Sequence, residues 1–148
     1  MRMRLMTMTR TMNEYVKIML VGLTCVLVIV CYGTYRCKNT RFVDPLTYSF
    51  APAPLDKYLD GWGISHLLFF ALLGFHFPTK LLFCFALGVV WEMVEYSMQS
   101  HPFYLSKCNY DMQTHKGEGW WYGRWQDIVM NTCGLWIGVR IHALWSMK

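Results

Sequence analysis

The chain has 148 residues, of which 55% are hydrophobic and 17% aromatic, a composition too apolar for an ordinary soluble domain of this size. The length fits one domain, and the composition indicates an integral membrane protein. The net charge of +5 comes from 14 Lys and Arg against 9 acids, and beyond the N-terminus the basic residues are scattered between hydrophobic runs. We therefore expect membrane lipids as partners, and no nucleic acid.

The first residues form a basic segment with three arginines and no acid before Glu14. We interpret residues 1–14 as a disordered basic tail, although the segment also resembles a basic targeting sequence. The apolar run IMLVGLTCVLVIVCY follows Lys17 and contains no charged residue. It predicts a first membrane span over residues 15–35, which is retained as a signal anchor because no small-residue cleavage site follows Val30.

Three further segments are apolar enough, and close to long enough, for a bilayer about 30 Å thick. They cover residues 61–77, 79–98 and 123–145, and Pro78 marks the boundary between the first two. The loop before them contains Asp-Pro and Ala-Pro-Ala-Pro, which favour extended or turn conformations. The sequence therefore predicts a single membrane domain over residues 15–148, an all-α integral membrane bundle of about four transmembrane helices.

Neither the basic residues nor the cysteines fix the orientation or the compartment of this bundle. In a four-span topology the 14 Lys and Arg divide equally between the two sides, so the positive-inside rule gives no preference. The six cysteines contain no Cys-x-x-Cys pair, and a disulfide between Cys37 and Cys108 is left open.

Two glutamates lie in the third predicted span, within the run VVWEMVEYSM. Glu92 and Glu95 are three residues apart, so on a helix they share one face. The apolar residues from Leu81 to Val94 contribute about −4 kcal/mol to membrane insertion, whereas each central charge costs about 3 kcal/mol. We therefore expect these glutamates to face protein or water, to be protonated, or to bind a cation.

Polar residues on the neighbouring spans are predicted at the same membrane level. The short turn between the second and third spans makes them antiparallel, which places His66 beside the two glutamates. On the fourth span, Asp127 and Asn131 lie on one face. Gly134 and Gly138 continue that face and allow close approach of another helix, so a homo-oligomer through this glycine face is also expected.

The sequence thus predicts a polar site just inside one membrane interface, to which the loop before the fourth span adds an acid and an amide. An oxygen-rich set of this kind suits Ca²⁺ or Mg²⁺ better than zinc. A cation would also neutralise carboxylates that cannot all stay ionised at close range. The predicted side chains are His66, Glu92, Glu95, Asn109, Glu118, Asp127 and Asn131.

Four sequence motifs follow one another between residues 60 and 141. They are Ser65-His66, Trp91-Glu92-x-x-Glu95, Glu118-x-Trp120-Trp121 and Asp127-x-x-x-Asn131-x-x-Gly134-x-x-x-Gly138. In this order they resemble the catalytic core of the eukaryotic base-exchange phosphatidylserine synthases. The order is also similar to that in small bacterial VanZ-like membrane proteins, most of which have no assigned function.

The resemblance to the synthases implies a phospholipid headgroup transferase of the endoplasmic reticulum. It implies that His66 is the base that acts on the incoming amino alcohol, and that Asn131 is a polar support or a headgroup contact. We also predict that Asn109 and Asn131 bind the substrate. The implied ligands of Ca²⁺ or Mg²⁺ are Glu92, Glu95, Glu118 and Asp127. The chain departs from the synthases at Tyr122, where they have a further aspartate, and they are also much longer.

Two other functions are left open by the same residues. A non-enzymatic, VanZ-like multi-pass protein with a structural or assembly role would use the polar side chains to fix helix packing. The short chain and the glycine stripes are typical of such a protein. A proton or ion relay would instead use the carboxylates for transfer across the membrane.

Overall fold

The computed structural model describes residues 2–39, 44–57, 59–99 and 123–147. Four α-helices account for most of them: α1 (Arg2–Lys38), α2 (Gly61–His76), α3 (Leu81–Gln99) and α4 (Trp125–Ser146). Two 3₁₀ turns, Pro45–Thr47 and Leu55–Lys57, lie between α1 and α2. No strand occurs in these parts of the chain, and the all-α prediction is confirmed for them.

The chain divides into two compact units, Met1–Tyr35 and Arg36–Lys148. The first unit is α1 apart from its last residues, and this helix is continuous from Arg2. It therefore includes residues 2–14, where the sequence predicts a disordered tail. A single helix forms because the basic tail continues into the apolar run without a proline or a glycine between them.

Helix α2 begins at a side-chain cap and ends at the predicted proline boundary. Asp60 Oδ1 accepts a hydrogen bond from the Gly63 N–H at 2.7 Å, which satisfies one of the free backbone donors of the first turn. At the other end, the Phe77 N–H bonds to Leu73 O, and Pro78 follows in the turn to α3. The ends of α2 and α3 therefore lie close to the predicted ones.

The second unit is built around the contact between α2 and α4, the most extensive helix–helix contact in the described residues. Gly134 and Gly138 lie against the α2 backbone, where a Cβ atom would collide with the carbonyl oxygens of Leu67 and Ala71. Gly74 of α2 makes the reciprocal contact with the α4 backbone. Helix α2 of the same chain thus covers the glycine face. A homo-oligomer stays a prediction, and it would need another surface.

In the described parts of the chain, two helical stretches, Asn13–Arg36 and Leu81–Gln99, are long and apolar enough to cross a membrane. Helix α2 is apolar but has 16 residues. Helix α4 has 22 residues, with Asp127 and Asn131 buried in its first half. The two long stretches favour association with a membrane, whereas the four-span arrangement stays a prediction.

Candidate functional site

A cluster of polar side chains lies between α2, α3 and α4, where α2 and α4 begin and α3 ends. His66, Glu92 and Glu95 can each place one ligand atom within 4.8 Å of the others. Glu92 and Asp127 interact electrostatically and are 4% and 3% exposed. The antiparallel turn and the spacing of three and four residues bring these four side chains together, as the sequence predicts.

His66 contacts both of the other helices through one ring nitrogen. His66 Nδ1 lies 2.9 Å from Asn131 Oδ1 on α4, which is a hydrogen-bond distance. The same nitrogen lies 3.7 Å from Glu92 Oε1 on α3, which is an ion pair only when the ring is protonated. Asn131 is 1% exposed, so this contact lies in the interior of the second unit.

Glu92 is held by the segment that leads into α4. Its Oε2 accepts a hydrogen bond from the Arg124 backbone N–H at 3.2 Å. Gly123 allows this approach, because a Cβ there would lie 2.7 Å from the backbone N of Tyr96 and would collide with Glu92 O. The second oxygen, Glu92 Oε1, is buried and has no hydrogen-bond partner among the described residues.

Asp127, in the first turn of α4, also has an unsatisfied oxygen. Asp127 Oδ1 is buried and finds no hydrogen-bond partner in the described parts of the chain. The carboxylate is attracted by the Arg124 guanidinium and, when the ring is protonated, by His66. It is repelled by the carboxylate of Asp60. Its place at a helix N-terminus also favours a negative charge.

Glu95 completes the acidic side of the cluster. It has the Trp91 side chain as a hydrogen-bond neighbour on α3 and interacts electrostatically with Glu92 and Asp127. With Asp60, the described part of the cluster contains four carboxyl groups and one guanidinium, that of Arg124. Negative charges are therefore in excess when all of these groups are ionised.

Arg124 and Asp60 belong to the cluster, although the sequence does not single them out as site residues. Arg124 NH1 donates a hydrogen bond to Asp60 Oδ2 at 3.0 Å, which joins the start of α4 to the start of α2. Asp60 directly precedes the second predicted span and Arg124 is the second residue of the fourth, and these positions are the available signal. Asp is a common helix cap, and Arg is common where a helix enters the interface.

Two predicted site residues lie outside the described parts of the chain. They are Asn109 and Glu118, both in the loop before α4. Tyr122 and Cys108 lie outside the described residues too, so a Cys37–Cys108 disulfide also stays a prediction. Their predicted roles stay predictions. The described part of the predicted metal set is therefore Glu92, Glu95 and Asp127, with His66 beside it.

The donors of the cluster are of the kinds that a divalent cation accepts. Carboxylate oxygens suit Ca²⁺ and Mg²⁺, and the imidazole of His66 lies beside the predicted ligands without being one of them. In the cluster, Glu92 Oε1 and Asp127 Oδ1 are buried without a hydrogen-bond partner among the described residues, and there a cation would replace the missing hydrogen bonds. The residues therefore fit a cation, and the cation itself stays a prediction.

The described residues form an all-α protein with buried acids and a partly buried histidine between its helices. No protein-family model, curated protein or solved structure matches the chain. The resemblance to the phosphatidylserine synthases and to VanZ-like proteins therefore rests on the sequence motifs and stays a prediction.

Proposed function

We propose that the chain is a multi-pass membrane protein of four transmembrane helices that binds a divalent cation and acts on phospholipid headgroups. The proposed reaction is base exchange of the phosphatidylserine-synthase type. The observation that carries the proposal is that Glu92 Oε1 and Asp127 Oδ1 are buried without a hydrogen-bond partner among the described residues. Both oxygens belong to the cluster that contains His66.

The distribution of side chains in the second unit supports a lipid environment. Four acids are buried there, namely Asp44, Asp60, Glu92 and Asp127. The exposed apolar residues include Leu68, Leu72, Leu82, Val90, Trp136 and Leu144. Exposed apolar faces around a polar interior suit helices in a membrane, where polar groups must find partners inside the protein.

The length of α2 is compatible with this proposal. Its 16 residues give a helix of about 24 Å, slightly shorter than a hydrocarbon core of about 30 Å. Local thinning of the bilayer and interfacial side chains at the helix ends accommodate such a mismatch at a modest cost. Asp60 and Arg124 lie at the end of the bundle where polar groups reach the headgroups.

The excess of carboxylates supports a bound cation. An ionised carboxylate that is buried without a partner costs several kcal/mol, and Arg124 is the one guanidinium in the described cluster. Glu92, Glu95 and Asp127 would hold Ca²⁺ or Mg²⁺, with His66 beside them. When bound, the cation polarises a phosphoryl oxygen and neutralises developing negative charge.

The position of His66 supports a role as general base. The ring lies beside the proposed cation ligands, where a ring nitrogen would take the proton of an alcohol bound at the cluster. The alcohol oxygen then forms the new bond to phosphorus, and the original headgroup alcohol leaves with a proton. The endoplasmic reticulum is the compartment that the synthase resemblance implies.

A headgroup-exchange assay tests the proposal. Purified protein in vesicles of phosphatidylcholine and phosphatidylethanolamine is incubated with labelled serine, ethanolamine or choline, with Ca²⁺ or with a chelator. We expect label in phospholipid only with the cation, and loss of it in Glu92→Gln and His66→Gln. The matched control Glu14→Gln, an acid of α1, should retain activity.

Two results of this assay would contradict the proposal. One is the absence of exchange with all three alcohols in the presence of Ca²⁺ and of Mg²⁺. The other is exchange that Glu92→Gln leaves unchanged.

The contacts of Arg124 favour a second candidate, a non-enzymatic multi-pass protein whose polar residues fix helix packing. Through its guanidinium and its backbone N–H, Arg124 links Asp60 at the start of α2 to Glu92 on α3. Such a link stabilises a bundle without any substrate. This candidate predicts that Ca²⁺ affinity is the same in the wild type and in Glu92→Gln.

A further inference from the structure

The His66 ring has several polar neighbours, and among the described residues only Asn131 lies at hydrogen-bond distance from Nδ1. Asn131 Oδ1 is 2.9 Å away, whereas Glu92 Oε1 is 3.7 Å away. The other charged groups that act on this part of the cluster are Glu95, Asp127, Arg124 and Asp60. The amide of Asn131 is thus the group that determines which ring nitrogen carries hydrogen.

An amide oxygen accepts hydrogen bonds and cannot donate them, so the contact with Asn131 Oδ1 requires a hydrogen on His66 Nδ1. A neutral imidazole has one N–H, and the lone pair is then on Nε2. Because Asn131 is an amide rather than an acid, it orients the ring without adding a further negative charge to the cluster.

The packing around Asn131 keeps its amide in place. Gly88 of α3 leaves room for it, since a Cβ there would lie 3.1 Å from Asn131 Nδ2 and 2.7 Å from Phe70 Cζ. The close contact of α4 with α2 begins one turn further on, at Gly134. An almost fully buried amide between two closely packed helices has little freedom to move away from the histidine.

We propose that Asn131 is a positioning residue that fixes His66 as the tautomer with hydrogen on Nδ1, so that Nε2 presents the lone pair. The tautomer follows from the contact of His66 Nδ1 with the amide oxygen of Asn131 rather than with its NH₂ group. The use of Nε2 to accept the proton of an alcohol rests on the proposed function. Glu92 Oε1 is then not needed as the acceptor for the ring and remains available to a cation.

Nitrogen-15 NMR of the full chain, labelled on histidine and held in lipid nanodiscs with a chelator, tests the tautomer directly. At a pH where the ring is neutral, the two tautomers give different chemical shifts for Nδ1 and Nε2. His66→Gln identifies the signal among the five histidines. We expect hydrogen on Nδ1 in the wild type and in Asn131→Asp, which keeps an acceptor oxygen, and loss of this preference in Asn131→Leu.

Hydrogen on Nε2 of wild-type His66 would overturn the proposal, because the amide would then be turned with its NH₂ group towards the ring. Retention of the wild-type tautomer in Asn131→Leu would overturn it too, by showing that another acceptor determines the tautomer. If Asn131→Leu does not fold, the spectra of the wild type and Asn131→Asp still decide the question.

The NMR result is separate from the outcome of the exchange assay, since the tautomer does not depend on activity. Where exchange is measured, we expect Asn131→Leu to lower kcat about 100-fold, with little change in KM for the phospholipid and recovery in Asn131→Asp. An unchanged kcat in a variant that has lost the tautomer would contradict the positioning role.

Discussion

Two buried acids of the second unit differ in how completely their oxygens are hydrogen-bonded. Asp44, in the segment before α2, is 4% exposed, like Glu92. Asp44 Oδ1 accepts a hydrogen bond from the Leu46 N–H at 2.9 Å, and Oδ2 accepts one from Trp62 Nε1 at 3.1 Å and lies 3.1 Å from Arg36 NH1. Glu92 has one oxygen bonded to a backbone N–H and one without a partner among the described residues.

This difference shows that the chain can supply a complete set of partners for a buried acid. Around Asp44 it provides a backbone donor, an indole N–H and a guanidinium, which is what a structural carboxylate requires. Around Glu92 and Asp127 the described set is incomplete. We infer that Asp44 stabilises the fold, whereas the cluster around Glu92 is destabilising until it binds a ligand. Substitutions at the two sites should therefore change stability in opposite directions.

The largest effect is expected at the structural acid. Asp44→Leu leaves Arg36 and the Trp62 N–H without their carboxylate, and it should lower the free energy of unfolding by about 4 kcal/mol. Asp44→Asn should cost less, because its amide oxygen can still accept from the Leu46 N–H. Unfolding in detergent, followed by tryptophan fluorescence, measures both. A loss below about 1 kcal/mol in Asp44→Leu would show that this acid is not structural.

The next largest effect is expected at the close contact between α2 and α4, two of the helices that carry the cluster. Gly138→Ala places a methyl group against Ala71 O and within 2.7 Å of the Phe75 backbone N, and it should cost about 3 kcal/mol. Gly22→Ala is the matched control, because a Cβ there meets nothing within 4 Å. That control should be neutral or stabilising by up to about 1 kcal/mol. Equal effects at the two glycines in thermal unfolding would contradict the close α2–α4 contact.

A smaller loss is expected at Arg124, the described guanidinium of the cluster. Arg124→Gln removes the ion pair with Asp60 but keeps the backbone N–H that bonds to Glu92, and it should cost about 2 kcal/mol, since Arg124 is partly exposed. The variant should also bind Ca²⁺ about tenfold more tightly, because a nearby positive charge is lost. Calcium titration measures this change, and weaker binding would argue against a cation at Glu92.

The smallest effect has the opposite sign. In the presence of a chelator, Glu92→Gln should raise the free energy of unfolding by about 1 kcal/mol, because it removes a buried charge while its amide oxygen can still accept from the Arg124 N–H. Glu14→Gln, the substitution of an acid of α1, should not produce this gain. A loss of stability like that of Asp44→Asn would show that Glu92 is a structural acid as well.

Local sequence patterns predict the helices and the core of the cluster. The apolar runs and Pro78 place α2 and α3, and spacings of three and four place Glu92 with Glu95 and Asp127 with Asn131 on common faces. The antiparallel turn adds His66. These features depend on residues that are close in the sequence or on a short connection between helices, so they can be read without a structure.

The contacts that sequence patterns miss join residues that are far apart in the chain. Arg124 and Asp60 are separated by 64 residues, and Trp62 and Asp44 by 18. No helical periodicity relates such pairs, and each of these side chains has an ordinary local explanation as a cap, a turn residue or an interfacial residue. Which buried acids are fully partnered becomes visible only when the distances are known.

Calcium binding to the full chain in lipid nanodiscs, measured by isothermal titration calorimetry, tests the central claim most directly. The wild type and Glu14→Gln should show saturable binding at a single site, and Glu92→Gln, Glu95→Gln and Asp127→Asn should each lose it. Far-UV circular dichroism confirms that the variants keep their helices. No saturable binding of Ca²⁺ or Mg²⁺ to the wild type, or equal binding to all variants, would contradict a cation site at this cluster.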